Sequence, residues 1–303
     1  MSLSPGFDVH TPHALAEVLQ LLDRYGPAAR VIAGGTDLMP KLRNGRLSPA
    51  HLVSLNRVAE LAGIEETEDG GLVIGGATRI FDVQRHPVVR ERFPALHHAC
   101  SVMATVQIRN MGTVAGNLAN GSPCADTSGP LLAYDATLEV LRWGGRREVP
   151  VRGFHRGPAS VDLRPDEIIA AIHLPPPPAP SGSAYERLSA RSRVDMAAAG
   201  VAALVALNME GRIAEARIGL SAVSPTPMRC PEAESLLRGE VPDAPLLERA
   251  GRAAAAESRP IDDVRATAAY RRHVVGVMAE RVLAACVARA SARASARDGE
   301  GTP

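Results

Sequence analysis

A fold of mixed strands and helices in two parts is what this sequence predicts, on three observations. Short apolar runs of strand character are mixed with segments of helical spacing through residues 1–177. A proline run, Pro175 to Pro178, followed by Ala179, Pro180, Ser181, Gly182 and Ser183, breaks any regular element and marks the clearest boundary. Beyond that boundary, strand candidates come first and helical segments last.

Taken in order, Thr11 suits an N-cap and Pro12 the first helical position. Leu15, Val18, Leu19 and Leu22 then recur at three- and four-residue spacing, which gives one apolar face, and Gly26-Pro27 ends the helix. Arg30 to Ala33 reads as a short buried strand, with further strands at Leu52 to Leu55 and Leu72 to Gly75. Pro94 to Ala104 reads as a helix, and Leu138 to Leu141 and Ile168 to Leu174 as strands. Residues 178–184 form the expected linker. Met196 to Leu207 is ambiguous: its alanines favour helix, whereas its unbroken apolar character suits a buried strand. Arg212 to Val223 alternates, with Ala216, Ile218 and Leu220 on one face, as a strand does. Leu246 to Ala256 and Thr267 to Ala288 read as helices, and residues 290–303, without periodicity, as a disordered tail.

Composition narrows the function. At 303 residues and 46 % apolar content a sizeable core is available, but aromatics are only 3 %, so that core is aliphatic and alanine-rich. The 34 basic and 33 acidic side chains nearly cancel, and no like-charge block offers a nucleic-acid surface. Cys100, Cys124, Cys230 and Cys286 are too far apart in sequence for zinc or iron-sulfur spacing and read as reduced thiols. The histidines, His97-His98 included, show no ligand pattern, so no metal is expected in this chain. No leader pattern opens the sequence and no apolar run approaches the length of a membrane span, so a cytoplasmic protein is expected.

Two glycine-bearing stretches carry the candidate chemistry. In the first, Val31 and Ile32 run into Ala33, Gly34, Gly35, Thr36, Asp37 and Leu38. The paired glycines clear side chains from the backbone, and successive N–H groups, helped by a helix starting near Asp37, can converge on phosphate oxygens. A plain strand-to-helix turn is the competing reading. The second stretch, Arg109 to Asn117, presents Thr113 as a hydroxyl, Ala115 and Gly116 as uncluttered backbone and Asn117 as a two-way amide; Asp126 follows. An ordinary surface loop is its alternative. Neither a Rossmann fingerprint nor a P-loop is present. Gly75-Gly76-Ala77-Thr78 reads as a hairpin turn.

Ala33 to Asp37, together with Gln107 to Asn117, resembles the flavin-binding medium subunit of the molybdenum hydroxylases, the carbon monoxide dehydrogenase and xanthine dehydrogenase family. Phe7-Asp8 with Pro12, Ser122 to Asp126, Asp166 to Pro175 and Tyr270-Arg271-Arg272 extend the resemblance over roughly residues 3–288. It implies FAD held between two small α+β subdomains, about 1–60 and 61–177 (a PCMH-type fold), followed by a C-terminal domain of antiparallel sheet and helices at 185–289. By matching positions, Ala33 to Asp37 and Thr113 to Asn117 would hold the diphosphate, flanked by Ile32 and Leu38. Asp126 would lie near the flavin's sugar chain, Ile168 or Ile169 near the isoalloxazine, and Arg187 near the cofactor. The resemblance also favours strand at 197–207. Two departures stand out: Ala115 replaces the first glycine of a usual pair, and no cysteine-rich insertion separates Asn117 from Asp126.

The implied function is electron transfer. Substrate would be oxidised at molybdopterin in a large partner subunit, and electrons would pass through 2Fe-2S clusters in a small partner subunit to FAD here and on to an external acceptor. No catalytic acid, base or nucleophile is expected in this chain. The alternatives are a self-sufficient flavin oxidoreductase, the flavin subunit of a 4-hydroxybenzoyl-CoA reductase-like enzyme without the extra cluster, and a non-catalytic nucleotide-binding module. Valine at Gly35 is expected to abolish flavin binding.

Overall fold

The computed structural model describes residues 6–191 and 194–300. It opens with a small βαβαβ unit: β1 (Asp8–His10), α1 (Leu15–Tyr25), β2 (Ala29–Ile32), α2 (Leu38–Arg43) and β3 (His51–Ser54). The three strands pair in parallel in the order β1-β3-β2. Val18 and Leu22 of α1 are fully buried, with Leu15 and Leu19 packed beside them, as the spacing predicted. The helix starts later than Pro12, however, with Ala14 at the N-cap position. Carboxylates replace the threonine cap: Glu17 accepts from His13 N at 2.9 Å and Glu60 from Leu15 N at 3.0 Å. As an edge strand, β2 is half-buried rather than buried.

The next unit is an antiparallel sheet interrupted by helices. Strands β4 (Ile64–Glu66) and β5 (Leu72–Gly75) lead into α3 (Ile80–Arg85), α4 (Pro87–Arg92), α5 (Pro94–Val102), α6 (Val106–Met111), α7 (Val114–Ala119) and α8 (Ser128–Ala133). Strands β6 (Thr137–Arg142) and β7 (Gly145–Pro150), the hairpin β8 (His155–Gly157) with β9 (Ser160–Val161), and β10 (Ile168–Leu174) complete it. The order β4-β5-β10-β6-β7 makes β10 central. One side of β10 sends Ile168 and Ala170 into the core of the first unit, and the other sends Ile169, Ile172 and Leu174 into the core under the helices. The core is mainly aliphatic, but Phe93, Tyr134 and Phe154 are among its largest fully buried members.

The third unit comprises β11 (Ser181–Ser189), β12 (Ala197–Leu207), β13 (Ile213–Ser221), β14 (Met228–Arg229), α9 (Pro231–Leu237), α10 (Ala244–Glu257) and α11 (Ala268–Glu300). Its four strands are antiparallel and in sequence order. The ambiguous alanine run is the strand β12. It is buried along its whole length between β11 and β13, so tertiary pairing overrides helix propensity. Two expectations are corrected here. The linker is shorter than 178–184, because β11 begins directly after Pro180. The tail is not disordered over 290–300, where α11 continues to Glu300; residues 301–303 lie outside the described residues. Ala290 is buried, and Arg289 and Arg293 donate to the carbonyls of Ser183 and Ser181, which anchors the helix along β11. Among the described residues no helix is long and apolar enough to cross a membrane.

Candidate functional site

The β2–α2 connection and the start of α7 face each other across one cleft of about 570 Å³. Ile32, Ala33, Gly34, Gly35, Thr36, Asp37 and Leu38 line one side. Thr113, Ala115, Gly116 and Asn117 line the other, with Asp126, Ile168 and Ile169 completing the wall. Arg187 does not line the cleft; it sits behind Asp126.

The first side is a bare-backbone cradle. Gly35 has φ +66°, in the left-handed region that glycine enters freely. Gly34 lies against the second motif so closely that a Cβ there would fall 1.9 Å from the Met111 carbonyl oxygen. Among the described residues, the N–H groups of Gly34, Gly35, Thr36 and Asp37 find no acceptor. Four successive unpaired donors beside a cleft are a concave site for an anion. Asp37 holds the N-cap position of α2, but its side chain makes no capping bond and is exposed.

The second motif is not the loop that its glycines suggested but two short helices, α6 and α7, meeting at Gly112. Thr113 caps α7, its hydroxyl oxygen accepting from Gly116 N at 3.0 Å. That bond occupies the Gly116 N–H and leaves the threonine O–H as a donor. Ala115 lies inside α7, where a methyl group brings no conformational strain. The Asn117 side-chain oxygen accepts from Thr127 at 2.7 Å, which frees its NH2 for the cleft.

Other site residues escaped the sequence reading. Lys41 Nζ donates to Asn120 Oδ1 at 2.6 Å and ties α2 to the end of α7; both line the cleft, and Lys41 adds a cation beside the donor cradle. Gly76 belongs to the wall rather than to a simple hairpin turn: its N–H donates to Ala170 O at 2.7 Å, and a Cβ there would lie 2.0 Å from Ile169 O. This contact accompanies the β-bulge between Ile169 and Ala171 that shapes the wall. Glu167, beside Ile168, receives both prongs of Arg147 at 2.8 and 2.7 Å and the Arg164 N–H. Burial opposes its charge, but these donors prevail and hold the carboxyl below its usual range.

Asp126 is buried, with Oδ1 accepting from Tyr185 Oη at 2.7 Å and Oδ2 lying 3.3 Å from Arg187 Nη1. Burial pushes this carboxyl up, while Arg187 and the Tyr185 hydroxyl favour its charged form. Arg109, the first residue of the second motif as read from sequence, is structural: its guanidinium bonds Gln84, Met103 O and Ala104 O.

His155 supports α7 from below through a hydrogen bond with the Leu118 backbone, while its Nε2 is buried without a partner among the described residues. Burial lowers its pKa from 6.5 to about 4. The neutral ring is therefore the folded form, and its contribution to stability is complete above pH 6.5 and is lost as pH falls towards 4. Thermal or urea unfolding of the wild type between pH 7.5 and 4.5 is expected to show a loss of up to about 3 kcal/mol that His155→Gln flattens. An unchanged pH slope in that variant would refute the assignment.

Residues 5–177 match the model for the FAD binding domain in molybdopterin dehydrogenase, and residues 183–286 match the CO dehydrogenase flavoprotein C-terminal domain. The chain is 36 % identical over 285 residues to the putative xanthine dehydrogenase FAD-binding subunit XdhB of Escherichia coli K12, covering 94 % of this chain and 97 % of that one. The carbon monoxide dehydrogenase medium chain of Afipia carboxidovorans is 35 % identical over 291 residues, 96 % of this chain and 99 % of its own. A solved carbon monoxide dehydrogenase from Hydrogenophaga pseudoflava superposes with a TM-score of 0.90 at 35 % identity, covering 95 % and 99 % of the two chains.

The chain belongs to the FAD-binding subunits of the molybdenum hydroxylases.

This flavoprotein subunit is thus the electron-transfer component of an oxidoreductase complex. Its four cysteines are free, three of them buried. Burial pushes the Cys100 and Cys286 thiols up to about 12, which makes them packing groups rather than nucleophiles. Among the described residues no group of three or more His, Cys, Asp or Glu side chains is placed to hold a metal ion.

Proposed function

We propose that the cleft holds FAD with its diphosphate between the two motifs. Gly34, Gly35, Thr36 and Asp37 would donate backbone N–H groups from one side. The Thr113 hydroxyl and the Asn117 NH2 would donate from the other, with Lys41 supplying charge. Ile168 and Ile169 would give the flavin ring an apolar wall, and Asp126 would accept from a sugar-chain hydroxyl. The unpaired donors of 34–37 carry this reading, because no described protein group satisfies them. When bound, FAD can exchange single electrons with an iron-sulfur cluster and electron pairs with a second redox partner. The chain's own residues bind it, orient it and exclude water from its apolar wall.

One relative is named a carbon monoxide dehydrogenase medium chain, and one solved structure that this chain resembles is titled a Cu,Mo-CO dehydrogenase, which supports a multi-subunit molybdenum assembly. We therefore propose a large molybdopterin-binding subunit and a small subunit with 2Fe-2S clusters as partners, and an external acceptor beyond FAD. We also propose cytoplasmic residence for this assembly. We further propose that cofactor binding belongs to residues 1–177, in two subdomains that meet near residue 60, and that 185–289 supports it.

Titration of flavin-free protein with FAD, FMN and riboflavin tests the assignment. If the diphosphate is the main anchor, FAD binds at least about a hundredfold more tightly than riboflavin, since several charge-assisted hydrogen bonds are lost with it. Equal affinities would reject the site. Substrate turnover by the purified chain alone would favour the self-sufficient oxidoreductase instead.

A further inference from the structure

We propose that Tyr185 is a positioning residue for the cofactor cleft: from the C-terminal sheet it fixes the Asp126 carboxylate at the cleft wall. This inference rests on the FAD reading above. It assigns to the second half of the chain a defined task in a site whose wall is built mainly from the first.

Asp126 lines the cleft, yet both of its oxygens are held from behind by one strand. Tyr185 and Arg187 are two residues apart on β11 and share one face. Tyr185 Oη donates to Oδ1, and Arg187 Nη1 approaches Oδ2. Burial and the adjacent Asp126 charge push the tyrosine hydroxyl far above its ordinary ionisation, so it remains a proton donor. Arg187 is further committed to the carbonyls of Val102 and Asp195, which fixes its own orientation. A carboxylate offers about four acceptor positions, so two stay available for donors in the cleft.

The sheet is also shaped around the phenol. Gly200 of β12 pairs with Arg187 on one side and Ser221 on the other. A Cβ at Gly200 would lie 3.1 Å from Tyr185 Oη and 2.4 Å from Ser221 Oγ. Glycine at this otherwise apolar, fully paired strand position therefore leaves the space that the hydroxyl occupies.

The test is a double-mutant cycle on FAD affinity, measured by titrating flavin-free full-length protein. Asp126→Asn is expected to weaken FAD about tenfold, and Tyr185→Phe about fivefold, the scale of one ordinary hydrogen bond. The double variant is expected to bind no more weakly than Asp126→Asn alone, because the tyrosine acts through the carboxylate. The pH profile gives a second readout. The titratable groups that act on Asp126 are Tyr185 and Arg187 on β11, Cys100 on α5 and the neighbouring Cys124, both thiols being pushed up by burial. Losing the tyrosine donor favours protonation of Asp126, so the acid limb of FAD affinity moves to higher pH in Tyr185→Phe and is absent in Asp126→Asn. Gly200→Ala, which displaces the hydroxyl without deleting it, is expected to reproduce the same non-additivity.

Additive losses in the double variant, or unchanged affinity and pH profile in Tyr185→Phe, overturn the inference and leave the FAD site standing. If the wild type binds no FAD, or Asp126→Asn binds it as the wild type does, the underlying site reading fails and the inference falls with it.

Discussion

Gly34→Ala is expected to abolish FAD binding and to destabilise the fold by about 3 kcal/mol, the scale of a forced backbone shift in a packed region. The added methyl would lie 1.9 Å from Met111 O and 2.4 Å from its carbonyl carbon. Both are main-chain atoms, so no rotamer change relieves the contact, and the β2–α2 connection must separate from the α6–α7 junction. That separation opens the gap across which the two motifs face one ligand. Gly35→Ala is the informative control. Its methyl would meet only the Ile32 and Met39 side chains, at 3.1 and 3.3 Å, which can yield. Its cost is chiefly that of a non-glycine residue at φ +66°, about 1–2 kcal/mol. The two variants should therefore separate in flavin content and in urea midpoint, with Gly34→Ala the worse in both. A Gly34→Ala protein that is fully loaded with FAD and as stable as the wild type would show that the motifs need not touch. The same geometry redirects the expectation for Gly35→Val: strain at Gly35 arises from its backbone conformation and its packing on Ile32 and Met39.

The first motif was legible because its residue types answer to local backbone geometry: a glycine in the left-handed region beside one pressed against another main chain. The β10 wall was legible from its apolar run. The second motif was misread as a loop because α6 and α7 are only six residues each, too short for helical periodicity to emerge. Thr113 was the available signal, since threonine ahead of a small apolar turn is a cap. What sequence could not give was long-range pairing. Lys41 meets Asn120 across 79 residues, and Tyr185 meets Asp126 across 59, with no local pattern to announce either. The alanine run of β12 stayed open on its residues alone, with only the resemblance favouring the strand that is observed, and the helical end of α11 was missed, for related reasons. In each, tertiary partners decided a segment whose own sequence was neutral or pointed elsewhere: two flanking strands for β12, and the carbonyls of Ser181 and Ser183 for α11.

Gly219→Ala is expected to undock the C-terminal sheet from the cofactor half, costing about 2–4 kcal/mol and weakening FAD binding with it. Gly219 of β13 lies against α8, and a Cβ there would sit 2.2 Å from Gly129 O and 3.0 Å from its carbonyl carbon. The two elements must part by about 1 Å to restore an ordinary contact. The surrounding bonds have little slack for such a movement. Tyr134 Oη is 2.6 Å from Ser183 Oγ, Arg229 reaches Asp135 at 2.7 Å, and Ala222 N donates to Pro123 O at 2.7 Å. Each joins the two halves, and Asp126 stands between Pro123 and α8, so the displacement also pulls β11 away from the carboxylate that it holds. The reciprocal variant isolates the cause. A Cβ at Gly129 would be 3.4 Å from Gly219 O, an ordinary contact, and alanine within α8 gains about 0.5–1 kcal/mol of helix propensity. Gly129→Ala should consequently stay within about 1 kcal/mol of the wild type and keep its flavin. Calorimetric unfolding and FAD titration of the pair decide the matter: equal behaviour of the two variants would mean that the close approach of β13 to α8 does not set the docking.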